Sequence, residues 1–495
     1  MDSQSTATFK DGVEIPNLKA PGIHSPIMHL SEELLTLILD TVRHSFDDES
    51  NASRLARTQV PIIASHVSRS WRFVALDNPL WWSTIMIISP WKTEVVEAYL
   101  QRSKQCPLVL SVVANPNDHE ILFYTSEDYQ RLFDLLFPHF LRCRSLDIRG
   151  VFATADIGVA SSFFERFLHA ELPQLEQVVI EADTISYDCP GWESNPIFDS
   201  APRLRDLRFI GTGILPSFFL STGSFSGHEL SSLHLSRTSS QISFSVLLGI
   251  LDACPLLTTL AIYDDVLVEW LGLAVSCNVP SLERLYILSN MTEVSELLLF
   301  LSAPKLKELI IVPVVVPDLY LLLTQSDSNH GVNPRHRFPA LKLLMLAFAH
   351  SRAFESINSA SVCFPEVECL VLANLYPVPF LDVFTSKNDR GGVIFPNLLD
   401  LALSDIDKSF SHAICDMQEF RIKHQHPLRT LYVDSASLRR LNGCKVIGAT
   451  LGDNRDLGRT ENKAFLSNCV AGDFWEDRRR SLLFTNILDP FVTPR

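Results

Sequence analysis

The residues with the right chemistry for a reacting site are few, and their spacing suits none. Gly223-Ser224-Phe225-Ser226-Gly227 has the glycine spacing of a nucleophile elbow, but its middle residue is Phe225, which carries no nucleophile. His424 and His426 stand two apart before Pro427, with no carboxylate or thiol beside them in sequence to complete a metal's ligand set. No glycine-rich loop ends in the Lys that a phosphate cradle needs. Asp264-Asp265 and Asp47-Asp48-Glu49 read as solvated turns. Nowhere do a nucleophile, a base and an orienting group come together. The sequence therefore predicts no catalytic residues, no metal and no cofactor, and directs attention to binding.

The 495 residues are 46% hydrophobic and 20% charged, enough for a large core and more than one folded unit. A net charge of −15 argues against nucleic acid and anionic membrane as partners. Ten cysteines are scattered without a C-x-x-C pair, Cys363 and Cys369 being the nearest neighbours, which suits a reducing compartment, cytoplasm or nucleus. The polar start, Met1-Asp2-Ser3-Gln4-Ser5-Thr6, lacks the apolar core of a signal peptide. No apolar run reaches the roughly 18 residues that span a bilayer. The richest stretch, 309–323, is broken by Pro313, Pro317 and Asp318. Without a secretion route, the sequons at Asn51 and Asn290 read as chance.

Binding chemistry concentrates first in residues 30–85. After a polar lead over 1–25, apolar side chains at 30, 34, 35, 38, 39 and 42 make one helical face. Ser31 is placed to cap that helix, with Glu32 and Glu33 in its first turn. Ile63, Val67, Trp71, Val74 and Ala75 predict a second helix, which Asn78-Pro79 ends before Leu80-Trp81-Trp82. Residues 91–101 predict a further helix and 108–113 a strand.

These blocks resemble an F-box, the small helical module that docks on the Skp-family adaptor of cullin ubiquitin ligases. Leu30, Glu33, Leu34 and Leu35 match the family's Leu-Pro-x-Glu-Leu-Leu opening. Val67, Trp71 and Arg72 match its Val-x-x-x-Trp-Arg helix, and Pro79, Leu80 and Trp81 or Trp82 its Pro-x-Leu-Trp end. Ser31 replaces the family's Pro, and a polar insert over 45–57 separates the first two blocks. The resemblance covers some 60 residues. It implies an adaptor-binding unit over 26–90, with Leu30, Leu34, Leu35, Ile38, Val67, Trp71, Pro79, Leu80 and Trp81 as core or docking residues. It also implies a cullin reached through that adaptor.

From about residue 91 to 434 a repeat takes over, Pro-x-Leu-x-x-Leu-x-Ile with variations. Pro173 leads Leu175, Val178 and Ile180; Pro280 leads Leu282, Leu285 and Ile287; Pro304 leads Leu306, Leu309 and Ile311. Further copies begin at Pro202, Pro255, Pro339, Pro365, Pro396 and Pro427, with one lacking its Pro at Leu230 and a degenerate first copy at Cys143. The last two apolar positions alternate along a short strand and point inward. Apolar segments at 246–251, 294–301 and 319–323 read as the intervening helices. One strand–helix unit cannot bury its apolar face alone, whereas stacked copies share a core. The array resembles leucine-rich repeats, though only Asn290 matches the family's Asn. The expected fold is thus α/β: a short helical unit, then an irregular leucine-rich repeat horseshoe with parallel strands on its concave face. A doubly wound sheet fits less well, because its strands would not repeat their sequence.

Residues alternating with the inward Leu positions would face the concave side, where Arg284, Tyr286, Glu308, Ile310 and Met345 make a candidate protein-binding surface. From 435 to 495 the pattern is lost in a turn-rich cap and tail, with an apolar segment at 465–475 and Arg478-Arg479-Arg480 after it. Two readings stand open. In one the chain is the noncatalytic substrate receptor of a Skp–cullin–F-box ubiquitin ligase, its repeats holding an unknown protein. In the other it is a leucine-rich repeat scaffold, unattached to a ligase, whose helical start is only a cap.

Overall fold

The computed structural model describes residues 30–45, 51–88, 90–114, 125–151, 157–168, 170–181, 201–210, 229–235, 242–263, 267–268, 277–288, 294–314, 338–348, 353–374, 381–387, 391–404, 410–433 and 450–453. The 223–227 glycine loop, Asn290, the 319–323 segment and everything after 453 lie outside the described residues. The chain divides into two compact units, Met1–Met86 with Ala98–Cys106, and Ile87–Glu97 with Pro107–Arg495.

In the first unit, helix α1 (Glu32–His44) begins as expected: the Ser31 hydroxyl accepts from the Leu34 amide at 3.4 Å, and Glu32 and Glu33 fill the first turn. Helix α2 (Asn51–Val67) starts inside the polar insert, so part of that insert is helical. The single helix expected over 63–75 is broken. Ser68 is extended at φ −159° and ψ 174°, and its hydroxyl caps α3 (Arg69–Asp77) by accepting from the Trp71 amide at 3.2 Å. A hydroxyl that satisfies an orphan helix donor makes a fresh start favourable there, and hydrophobic spacing is blind to it.

Asn78 then starts the tight turn Pro79–Trp82, its side chain accepting from the Leu80 amide at 3.2 Å. The turn drives both indoles into the core. Trp81 donates to the Asp40 carboxylate at 2.6 Å, and Trp82 to the Ala75 carbonyl at 2.7 Å. Helix α4 (Thr93–Arg102) contributes Tyr99, whose hydroxyl donates to the Thr58 carbonyl. The Tyr99 ring meets Trp82 edge-on at 4.9 Å, and the Arg102 guanidinium covers Trp82 at 4.4 Å. A boundary drawn at residue 90 would strip these groups from the unit.

The second unit is a solenoid of parallel strands taken in chain order: β1 (Leu108–Val113), β2 (Cys143–Arg149), β3 (Gln177–Glu181), β4 (Asp206–Ile210), β5 (Ser232–Leu235), β6 (Thr259–Tyr263), β7 (Arg284–Leu288), β8 (Glu308–Val314), β9 (Leu343–Phe348), β10 (Cys369–Asn374), β11 (Asp400–Ser404), β12 (Thr430–Val433) and β13 (Thr450–Asp453). Each pairs with the next, and the register aligns the repeat. Leu260, Leu285, Leu309, Leu344, Leu370 and Leu401 lie opposite one another, as do Ile262, Ile287, Ile311, Leu346, Leu372 and Leu403. All are buried. β13 extends the array into the stretch expected to be an irregular cap.

The leading proline has a visible purpose. It occupies the second position of a turn whose first carbonyl accepts from the repeat's first Leu. Leu257 donates to Cys254, Leu282 to Val279 and Leu306 to Ala303, at 3.0–3.2 Å. Proline's fixed φ suits that position, and its missing N–H costs nothing there. The next carbonyls tie repeat to repeat: Glu283 and Arg284 both donate to Thr258 at 2.9 Å, and Lys342 and Leu343 both to Lys307.

Helices α5 (Ser126–Leu136), α6 (Ile157–Leu168), α7 (Phe244–Ala253), α8 (Val294–Phe300), α9 (Ala353–Cys363) and α10 (Phe410–Lys423) fall between strands. The helices expected at 246–251 and 294–301 are present as α7 and α8. Between α5 and α6 the core is aromatic, with Phe163 stacked on Phe167 at 5.5 Å and tilted on Phe133 at 4.7 Å. Among the described residues no helix is long and apolar enough to cross a membrane.

Candidate functional site

Each unit carries a candidate surface. In the first, α1 is apolar over a wider arc than its unit can bury. Leu35 and Leu39 are buried, at 1% and 5% exposure, while Leu34, Leu37, Ile38 and Val42 stay exposed, Leu37 at 62%. These four follow the spacing of neighbouring positions on one helix face, so they form a continuous apolar stripe. Val67 and Leu80 are also exposed, and Leu30, Trp71 and Pro79 are half-buried. Trp81 is core. Leu37, Ile63 and Phe73 are exposed apolar residues absent from the sequence-derived site. Leu37 was within reach of sequence reasoning, since it lies three residues beyond Leu34; Ile63 and Phe73 needed the break at Ser68 to be known.

The second surface is the face of the solenoid sheet opposite the leucine ladder. Register places Asp147, Val179, Arg208 and His234 in one row, continued by Ala261, Tyr286, Ile310, Met345, Val371 and Ala402. The alternation is as expected, but the exposure is not. Tyr286, Glu308, Ile310 and Met345 are all buried, and of the five residues expected to meet solvent only Arg284 does. Alternation along a strand decides which face a side chain takes, and says nothing of whether that face is open. Tyr286 donates to the Glu308 carboxylate at 3.3 Å, and burial raises the Glu308 pKa against the pull of Arg284.

The earlier strands are polar on this face. Arg149 grips Asp147 with Nε at 2.8 Å and Nη2 at 3.1 Å. Arg208 grips Asp206 at 2.7 Å, and Gln177 joins them, accepting from Ser145 and donating to Asp206, both at 3.0 Å. Burial works against the Asp206 carboxylate, yet the Arg208 guanidinium holds its pKa below the ordinary value. Burial, helped by Arg208, pushes His234 down to about 3, so it is neutral at physiological pH.

Stability separates exposed Arg284 from buried Tyr286. Arg284→Ala is expected to move stability by no more than about 0.5 kcal/mol, as exposed substitutions do. Tyr286→Ala should cost about 1.5–3 kcal/mol from lost burial. Denaturant unfolding of the two variants measures the difference; equal effects would mean that Tyr286 is open to solvent.

Among the described residues no group of three His, Cys, Asp or Glu could hold a metal ion. His424 packs its ring on Phe420 at 4.2 Å with Nδ1 2.8 Å from the Phe420 carbonyl, and His426 offers its own carbonyl to Arg421. Both serve the end of α10.

Consecutive parallel strands, a leucine ladder and proline-led turns define the class of the second unit as a leucine-rich repeat-like solenoid. No family model matches the chain, and no curated protein does. Among solved structures it is similar to a chain in the crystal structure of the Rad7 and Elc1 complex in yeast, at 13% identity and a TM-score of 0.34, over 85% of this chain and 92% of that one. A likeness so distant has no bearing on function.

Proposed function

We propose that this chain is a noncatalytic substrate receptor of the F-box kind, acting in the cytoplasm, the nucleus or both. Its first unit docks a Skp-family adaptor, and through it a cullin, while the solenoid holds a protein substrate. Partner enzymes would then do the chemistry, and this chain would supply proximity and orientation. The observation that carries the reading is the α1 stripe. Leu34, Leu37, Ile38 and Val42 lie exposed on a helix whose other edge is sealed by Leu35 and Leu39. An exposed apolar stripe on an ordered helix is what a helical partner's groove or face would bury. The order of the three F-box-like blocks adds the kind of partner.

The test is calorimetric titration of the full chain with a purified Skp-family adaptor. Leu34→Asp and Leu37→Asp should each weaken binding about tenfold or more, the loss expected of an apolar anchor. Their melting should stay near that of the parent, because the changed side chains are exposed. If the parent chain does not bind the adaptor, the alternative stands: a leucine-rich repeat scaffold with no tie to a ligase.

A further inference from the structure

We infer that Lys305, in the turn before β8, is where this chain itself accepts ubiquitin, and that Arg at the matching place in an earlier repeat withholds such an acceptor. The inference rests on the receptor reading above, since it needs a ligase bound to the chain. The solenoid supplies its own comparison. Pro202-Arg203-Leu204-Arg205 leads into β4, and Pro304-Lys305-Leu306-Lys307 leads into β8. The two turns make the same bonds. Leu204 donates to the Ala201 carbonyl at 3.1 Å, and Leu306 to the Ala303 carbonyl at 3.0 Å. Arg205 and Asp206 both donate to the Glu176 carbonyl, at 2.8 and 3.1 Å, and Lys307 and Glu308 both to the Glu283 carbonyl at the same distances. Arg203 and Lys305 are both exposed. Arg205 reaches Glu229 at 3.4 Å and Lys307 reaches Glu283 at 3.0 Å, with side chains 63% and 57% exposed.

A one-point contact at the surface asks only for positive charge, which either residue supplies. The guanidinium fork is needed elsewhere, as where Arg429 grips Asp400 with two nitrogens. The chain nevertheless divides its cations by position. Residues 105–304 contain ten Arg and no Lys, whereas Lys305, Lys307 and Lys342 follow in the next two turns. What still separates the two residues is reactivity: an ammonium can shed a proton and become a nucleophile, while a guanidinium stays protonated. A receptor held in a ligase keeps its own surface, as well as its substrate, near the enzyme that carries ubiquitin, at an effective concentration on the order of millimolar. Each exposed Lys then competes with the substrate. In the step itself, the neutral Lys305 Nζ attacks the thioester carbonyl that joins the ubiquitin C-terminus to the carrier enzyme's cysteine. The C–N bond forms, the C–S bond breaks, and the amine's proton passes to the departing thiolate. Carboxylates hold Lys307 and Lys342, the latter meeting Glu368 at 2.6 Å, whereas among the described residues no ion pair holds Lys305.

The experiment reconstitutes the full chain with a Skp-family adaptor, a cullin, ubiquitin and its activating and carrier enzymes, and maps the attachments by mass spectrometry. The parent should carry ubiquitin at Lys305, and only when the adaptor is present. Arg203→Lys with Arg205→Lys should gain attachments at the two new lysines and be modified faster. Lys305→Arg with Lys307→Arg should lose the attachments in this turn. Both variants keep the net charge and should melt as the parent does, because each exchange copies a turn the chain already contains. The inference is overturned if attachments fall on Lys92 or Lys104 and leave Lys305 bare, if the introduced lysines stay unmodified, or if Lys305 is modified equally without the adaptor. Calorimetric titration with the adaptor separates the two readings. A parent that binds the adaptor and leaves Lys305 bare sinks this inference alone; one that does not bind the adaptor sinks the tie to a ligase and this inference with it.

Discussion

Arg421→Met is expected to loosen the last repeats by at least about 4 kcal/mol, because four carbonyls lose their donor at about 1–3 kcal/mol each. Arg421 is fully buried on α10, and among the described residues its guanidinium meets carbonyl groups and no carboxylate. Its guanidinium donates to the carbonyls of His426 and Ile394 at 2.9 Å, Phe395 at 3.1 Å and Leu398 at 3.3 Å. Burial lowers its pKa to about 10, which leaves it charged at neutral pH. One side chain thus ties the end of α10 to the turn that starts β11. Part of that turn is strained. Phe395 sits at φ +48°, a region that bulky residues avoid, and it is held from both sides. Its amide donates to the Ser361 hydroxyl at 2.7 Å, and its carbonyl takes the Arg421 contact. Met would fill the space and leave four carbonyls without their donor, each worth about 1–3 kcal/mol when buried. Lys would restore the charge, but its single ammonium cannot reproduce a fork that spans four acceptors, so Arg421→Lys should fall between. Amide exchange of β11 and β12 reads the effect directly. Protection unchanged in Arg421→Met would show that the guanidinium is dispensable.

The second large effect belongs to the N-terminal unit. Trp82→Ala should cost about 3–5 kcal/mol, as truncating a buried aromatic does. It removes a fully buried ring, the bond to the Ala75 carbonyl, the edge contact with Tyr99 and the stacking of Arg102. The unit is small, so a loss of that size should unfold it while the solenoid persists. Adaptor binding should vanish together with the unit's helical signal. That outcome differs in kind from Leu37→Asp, which should lose binding and keep the helices. Should Trp82→Ala still bind the adaptor at full strength, docking would not require this unit to be folded, and the α1 stripe would lose its role. Trp71, the tryptophan that spacing alone favours as core, is only half-buried. Its truncation should be milder.

Much of the fold was legible because its determinants are local. A Pro at the second position of a turn, a Leu that closes it, and two apolar residues alternating along a strand are all set by neighbours in the chain. Their recurrence from Pro173 to Pro427 therefore predicted both the strands and the inward phase that the register bears out. The start of α1 was equally readable, since Ser31 and the first-turn acids act within a few residues. Three things waited for the tertiary structure. The break at Ser68 turns on whether a hydroxyl reaches an amide, and a serine inside an apolar pattern does not announce that. The burial of Arg421 leaves no mark in the sequence, because its acceptors lie 23 to 27 residues away or in the following turn. Most consequentially, Tyr286, Ile310 and Met345 share one face by register and that face is buried, whereas the sequence left open whether its later positions face solvent or lie covered. Which side a side chain takes follows from the pleat of its own strand; whether water reaches that side depends on what the rest of the chain brings to it.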